Sequence, residues 1–407
     1  MTDFKPIPGG VLAAKDFVAA AVHCGIKKDK LDLVMIHSLR PAAAAATVTQ
    51  NKFRAAPTYV TQEAVADGNA QTIIANSGNA NCATGEQGLL DAWRMAALAG
   101  NATGVEATEV IVCSTGHIGD LLPMDKVEAG IAEAAAKLSR DNAELAARGI
   151  MTTDSYPKSC AAEFEVNGVT CRIGGIAKGA GMIHPNMATM LCFLCTDVAI
   201  DAKLLRQLLV DCVEHTFNCI TVDGDMSTND TVAILANGAA ENETLVYLED
   251  KGSDAFQAAL RYVCTELAKM IAFDGEGATK AVTIRVTEAE SFEEARAVAK
   301  GVANYNLCKC MFYGMDFNWG RVAAAIGATL LDVDPARISI EIQGIRAWHR
   351  GVPERFDLQA ARQLLRDREI FVKISLGKGD AEATVWTCDL TPEYITLNAE
   401  YESAEPA

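Results

Sequence analysis

The stretch Lys178-Gly-Ala-Gly-Met-Ile-His-Pro-Asn-Met-Ala-Thr-Met-Leu191 decides how this chain is read. A glycine-rich turn leads to Thr189, which stands behind a small residue, Ala188, at the head of an apolar run. Met190 to Leu194 has the short, continuous apolar character of a buried strand. A mid-chain threonine hydroxyl is a poor nucleophile without a base beside it. Cutting the Ala188–Thr189 bond would give Thr189 a free α-amine that can be that base. Such an amine titrates near pH ~7.7–8.0, so a useful fraction is unprotonated at neutral pH. On spacing alone, a threonine at a strand start behind a glycine-rich turn is ordinarily a structural feature.

Outward from this segment, strand and helix patterns alternate, which means α/β or α+β. Leu31 to His37 and Thr72 to Asn76 read as strands, and Glu109 to Cys113 as a short strand running into a Ser-Thr-Gly turn. A helix is expected from about Met124 to Arg140. Ala162 to Val166 and Val169 to Ile173 flank Asn167-Gly168, a type I′ hairpin signal that delivers the chain to Gly174-Gly175 and the cleavage segment. Asp201 caps a helix to about Phe217, and Ser291-Phe-Glu-Glu294 reads as a capping box. Further strands are expected at Ile338 to Ile342, Ile370 to Ser375 and Ala383 to Cys388. No Pro/Ser-rich linker divides the chain. The division that matters is the cut, which gives segments 1–188 and 189–407.

The chain has 407 residues, enough for two domains or one large α/β domain. With 53 acidic against 36 basic residues the net charge is −17, which argues against a nucleic-acid or anionic-membrane partner. The opening residues lack signal- or transit-peptide character, and no apolar run is long enough to span a bilayer. A cytoplasmic small-molecule enzyme is expected. The thirteen cysteines fall mostly inside apolar patterns, where Cys is a small hydrophobe. Cys192-Phe-Leu-Cys195 has knuckle spacing but lacks a second such pair, so reduced core thiols are expected there.

Other motifs carry less. Asp223-Gly-Asp-Met-Ser-Thr-Asn-Asp230 begins like a calcium loop, yet its sixth position is Thr228 and its twelfth Ile234. A turn network or a pocket wall is the expectation. No Gly-x-x-x-x-Gly-Lys-Ser/Thr run exists and no histidines are spaced i, i+4, so neither a P-loop nor a zincin metal site is implied.

The cleavage segment resembles the self-processing signature of the ornithine acetyltransferase family (glutamate N-acetyltransferases). Further matching blocks follow in order: Cys113-Ser-Thr-Gly-His-Ile-Gly119, Met151-Thr-Thr-Asp-Ser155 and Ile220-Thr-Val-Asp-Gly-Asp-Met-Ser-Thr-Asn-Asp-Thr231. Gly275-Glu-Gly-Ala-Thr-Lys280, Asp316-Phe-Asn-Trp-Gly-Arg321 and Asn398-Ala-Glu-Tyr-Glu-Ser403 complete the set. Ordered blocks over nearly the whole chain are far more specific than any one of them.

The resemblance implies a layered α-β-β-α-like sandwich, autocleaved into two chains that stay associated as α2β2 or a higher oligomer. It implies that Thr189 is acetylated by N-acetyl-ornithine and that glutamate accepts the acetyl group. No cofactor is implied. Some members also use acetyl-CoA, and no nucleotide-binding motif separates the two kinds. Thr115 and Gly116 match the oxyanion pair. Lys178 matches the substrate lysine and Glu276 a substrate carboxylate, while Asn398 and Ser403 match tail positions lining the site. Ser155 stands where the family usually has Thr. His184 and His117 are departures from the family pattern, expected to be tolerated loop substitutions, with an effect on cleavage rate or substrate fit as the alternative. Two competing readings are an N-terminal-nucleophile amidase or aminopeptidase on the same fold, and an uncleaved relative kept as a binding protein.

Overall fold

The computed structural model describes residues 4–184 and 190–399. They form two compact units, and the described residues of the first come from Met1–Gly179, Pro185–Asn218 and Met226–Leu267. The second takes in Ala180–His184, Cys219–Asp225 and Ala268–Ala407.

The first unit holds two sheets. One has six strands in the order Phe4–Pro6, Lys158–Val166, Val169–Lys178, Leu191–Thr196, Thr231–Ala236 and Ala43–Val48. The other has four: Phe17–Val22, Leu33–Ser38, Thr72–Asn79 and Val110–His117. One apolar cluster joins them face to face, with Phe193, Leu191 and Ile176 from the first meeting Ile36, Ile73 and Ile111 from the second. The four-stranded sheet's other face packs on helices Gly85–Thr103 and Met124–Ala136 through Met95, Ala99, Val127 and Ile131. The six-stranded sheet's outer side meets the helix Ser253–Phe273, where Phe164 and Phe256 have ring centroids 5.6 Å apart. The result is the α-β-β-α sandwich expected. Its central strands are buried on both faces, which is why Leu191–Thr196 and Thr231–Ala236 read as unbroken apolar runs.

The second unit is a six-stranded sheet ordered Val352–Pro353, Ile345–His349, Ser339–Ile342, Glu369–Ser375, Ala281–Ala289 and Ala381–Cys388. Helix Phe292–Ala303 buries Ala295, Val298, Ala299 and Val302, one face at 3.6-residue spacing. Glu369–Ser375 alternates exposed and buried residues, as a half-covered strand should.

Several expectations shift. The strand expected to stop at Cys113 runs through Ser-Thr-Gly to His117, because Thr72–Asn79 pairs with it in parallel along that length. The hairpin strands extend to Lys158–Val166 and Val169–Lys178, so Gly174-Gly175 lie inside a strand rather than after one. Asn167 (φ 51) and Gly168 (φ 82) supply the expected I′ turn. The helix from Met124 stops at Ala136 rather than Arg140, and the one capped by Asp201 stops at His215. Ser291 accepts from the Glu294 N–H, but Glu294 reaches back to Glu290 N rather than Ser291 N, so the capping box is only half made.

Candidate active site

In the first unit, Thr115 pairs with Ser77 and Gly116 with Gly78 across the parallel strand pair. Gly116 has φ 136, and a Cβ there would overlap the Gly78 carbonyl, so no other residue fits. The surrounding backbone is pinned. Ser114 Oγ donates to Asn76 Oδ1 at 2.6 Å, and Asn229 Nδ2 donates to the carbonyls of Ser114 (2.9 Å) and Ala80 (2.5 Å). Ala80 N donates to the His117 carbonyl at 2.8 Å. Rigid donors of this kind are what an oxyanion requires.

Lys178 is buried, with Nζ 3.4 Å from Thr115 Oγ1. An ammonium only donates, so the Thr115 hydroxyl keeps its own hydrogen to offer elsewhere. Lys178 stands opposite Leu191 in antiparallel register, and Thr231 stands opposite Leu191 in parallel register on the other side. The strands that precede and follow the Ala188–Thr189 bond are therefore neighbours in the middle of one sheet.

Behind Lys178 sits a buried carboxylate, Asp154. Its Oδ1 accepts from Lys158 Nζ (2.6 Å) and from Gly179 N (2.7 Å), and its Oδ2 from Thr152 N (2.9 Å). Burial by itself would raise its pKa, but Lys178, Lys158 and the Gly179 N–H outweigh it and hold the group at about 2. Exposed Ser155 follows it directly. Asp230 is also buried, and there burial wins: its carboxyl is pushed well above the usual range despite Ser227 and Lys178.

In the second unit, Glu276 N donates to the Ala180 carbonyl at 2.9 Å. The Glu276 carboxylate lies where a Cβ on Gly181 would be, so position 181 must stay glycine for Glu276 to cross the backbone. Asn398 Nδ2 donates to Glu276 Oε2 at 2.8 Å. Asp223, from the calcium-like run, clamps the neighbouring chain: it accepts from Met182 N (2.7 Å), Ile183 N (2.9 Å) and Tyr394 OH (3.2 Å). That run is a turn network. Burial and the carboxylates of Asp223, Asp225 and Glu276 push the Tyr394 phenol upward, which marks this corner as anionic.

His184 Nδ1 accepts from Asn304 Nδ2 at 3.1 Å, and Thr221 Oγ1 lies at the same distance. Burial, with Lys300 adding to it, lowers His184 to about 4, so it is neutral near pH 7. His117 is exposed and pairs with Asp120 at 2.9 Å. Among the described residues no cluster of three or more His, Cys, Asp or Glu is arranged to hold a metal ion. Cys192 and Cys195 are free and buried, as expected.

The ArgJ family model matches residues 18–403. The chain belongs to the ArgJ family. It is 46% identical to an arginine biosynthesis bifunctional protein ArgJ from Symbiobacterium thermophilum, over 98% of this chain and 99% of that protein. It is 42% identical to the ArgJ protein of Caldanaerobacter subterraneus subsp. tengcongensis, again over 98% and 99%. A crystal structure of the ArgJ protein of Bacillus halodurans is 42% identical, with a TM-score of 0.51, covering 52% of this chain and 100% of that one.

Thr115, Gly116 and Lys178 come together in the first unit, and Ser155 is exposed and follows Asp154 in the chain. Glu276 and Asn398 come together in the second. Ala188, Thr189 and Ser403 lie outside the described residues. Sequence reading passed over Asp154, Asn229 and Asn76, which pin the Thr115–Lys178 corner. Asp154 and Asn229 lie inside quoted blocks, so block membership was a signal for them. Asn76 had none, since its contact with Ser114 exists only once the strands pair.

Proposed function

We infer that this chain is a self-cleaving acetyltransferase of arginine biosynthesis, moving an acetyl group from N-acetyl-ornithine to glutamate through an acetyl-Thr189 ester. What carries the reading is the pairing of Val169–Lys178 with Leu191–Thr196 in mid-sheet. A cut between Ala188 and Thr189 leaves the strands on either side of it, Val169–Lys178 and Leu191–Thr196, hydrogen-bonded to each other, which favours the segments 1–188 and 189–407 staying together. The Bacillus halodurans chain, matched whole by about half of this one, supports a half-length product.

In self-cleavage, Thr189 Oγ attacks the Ala188 carbonyl and the acyl group moves from nitrogen to oxygen. Water then hydrolyses the ester, leaving an Ala188 carboxylate and a free Thr189 amine. In turnover that amine takes the hydroxyl proton as Oγ attacks the acetyl carbonyl, and the proton passes to the departing ornithine amine. Glutamate's amine reverses the sequence and leaves as N-acetylglutamate. Thr115 Oγ and Gly116 N–H serve as oxyanion donors. Lys178 serves substrate carboxylate and Glu276, held by Asn398, serves substrate ammonium. Ser155 and Ser403 add hydroxyl contacts. Amide or peptide hydrolysis on the same machinery is disfavoured by the end-to-end ArgJ match.

Intact-mass analysis should show two chains, the second beginning at Thr189, and Thr189→Ala should abolish both cleavage and transfer. Acetyl transfer from N-acetyl-ornithine to glutamate should follow parallel double-reciprocal lines. A full-length species after prolonged incubation, or near-normal turnover by Thr189→Ala, would sink the mechanism. Running the assay with acetyl-CoA as sole donor decides whether that second donor is used. Gel filtration of the processed protein tests the α2β2 assembly, and fractionation of cells tests a cytoplasmic location.

A further inference from the structure

Lys27 occupies a position that the reading above leaves unused. Its stem lies on the oxyanion strand pair: a Cβ on Gly78 would come within 3.0 Å of Lys27 Cγ, and Gly78 is the register partner of Gly116. Its ammonium donates to the carbonyls of Leu31 (3.0 Å) and Met151 (2.6 Å), the latter on the loop that carries Asp154 and Ser155. An ammonium has three hydrogens, and the third finds no acceptor among the described residues.

The charges around it are unevenly matched. Asp154 is committed to Lys158, Gly179 N and Thr152 N. Asp32 accepts from the N–H groups of Cys24, Gly25 and Lys27 and stands 3.3 Å from His23 Nδ1. Burial pushes the Asp230 carboxyl well above its ordinary range, which disfavours its charged form. Burial lowers the Lys27 ammonium to about 8; Asp32 opposes this, and the nearby charge of Lys178 adds to it. Partly buried like charges with their internal carboxylates already spent are a place where an incoming anion is stabilised.

Donor and acceptor share an amino-acid head and differ at the side-chain end, an ammonium in N-acetyl-ornithine and a carboxylate in glutamate. We propose that Lys27 is a second carboxylate-binding group of this site, taking the side-chain carboxylate of the dicarboxylic acceptor. This rests on the acetyl-transfer reading. Lys178 alone would serve the carboxylate common to both substrates, whereas Lys27 favours the substrate that brings two.

The test compares two acceptors in processed enzyme loaded with N-acetyl-ornithine: glutamate and hydroxylamine, which is small, neutral and reports formation of the acetyl-enzyme. Lys27→Met keeps the stem against Gly78 and removes the charge. The ratio of kcat/KM for glutamate to that for hydroxylamine should fall about tenfold to a hundredfold, the size of one charge-assisted hydrogen bond. Lys27→Arg should restore most of it. If both acceptors decline together and the ratio holds, Lys27 is only a strap between loop and strand and the proposal is overturned. Should Lys27→Met fail to fold, Lys27→Gln reads the same ratio. Wild-type enzyme that transfers acetyl to neither acceptor would instead refute acetyl transfer itself, whatever Lys27 does.

Discussion

Replacing Asp154 by Asn should expose how much the Lys178 corner depends on one buried charge. Lys158 is fully buried and forms an ion pair with Asp154 at 2.6 Å. Asparagine keeps an acceptor for Gly179 N but removes the negative charge that Asp154 brings to that ammonium. Removing one partner of a buried ion pair typically costs about 3–5 kcal/mol, because the other charge loses compensation inside the protein. The pH dependence should agree. Asp154 is depressed from 3.8 to about 2, so its contribution is complete above pH 4 and is lost as pH falls towards 2. Nearly two pH units at ~1.36 kcal/mol each is roughly 2 kcal/mol, the same order of magnitude. The assay is native-state hydrogen exchange of the strands Lys158–Val166 and Val169–Lys178, which reads local opening at the pair itself. Asp154→Asn should lower protection there by about 3–5 kcal/mol at pH 7, and adding Lys158→Met should recover most of the loss. Protection within about 1 kcal/mol of wild type, or a double variant no better than the single, would refute the reasoning.

Thr115→Ala removes an oxyanion donor that acts mainly in the transition state, so kcat should fall ~10²–10³-fold with KM little changed; a variant that cleaves and turns over normally would reduce this loop to a simple turn. Glu276→Gln removes the charge that Asn398 orients, and its main effect should be a higher KM for N-acetyl-ornithine, about tenfold, read from initial rates. His184 sits at about 4, below its ordinary 6.5, so folding favours the neutral ring; stability should be complete above pH 6.5 and decline as pH falls towards 4. His184→Gln should flatten that acid limb in a series of thermal melts, and an unchanged limb would place the titration elsewhere.

The candidate site residues could be named without coordinates because they fall in ordered blocks of sequence. A small residue before Thr189 at the head of an apolar run is by itself an ordinary strand start, and it points to a nucleophile only through the family resemblance of those blocks. Asn167-Gly168 dictates a I′ turn because both positions need positive φ, and few other residue pairs supply that cheaply. Ordered blocks along the chain carried the family. Where local reading stopped short was at the ends of elements. Ser114 to His117 looks like a turn in isolation and becomes strand only because Thr72–Asn79 runs beside it.

What the sequence by itself determined was which residues are chemically able to act, since nucleophilicity, charge and backbone freedom belong to each residue. Tertiary structure alone decided which of them face one another. Strands Thr231–Ala236 and Ala43–Val48 complete the site's sheet, yet their unalternating runs carry no period; Thr231–Ala236 is buried along its whole length, and Ala43–Val48 is an alanine-rich edge strand. Lys27 and Met151 lie 124 residues apart in the chain and meet only through sheet pairing. The state of a carboxyl is equally non-local. Asp154 and Asp230 are both buried, but Asp154 has two lysines and a backbone N–H beside it and is held low, while at Asp230 burial outweighs Ser227 and Lys178 and pushes the carboxyl up. Burial and neighbours set that balance, and neither exists until the chain has folded.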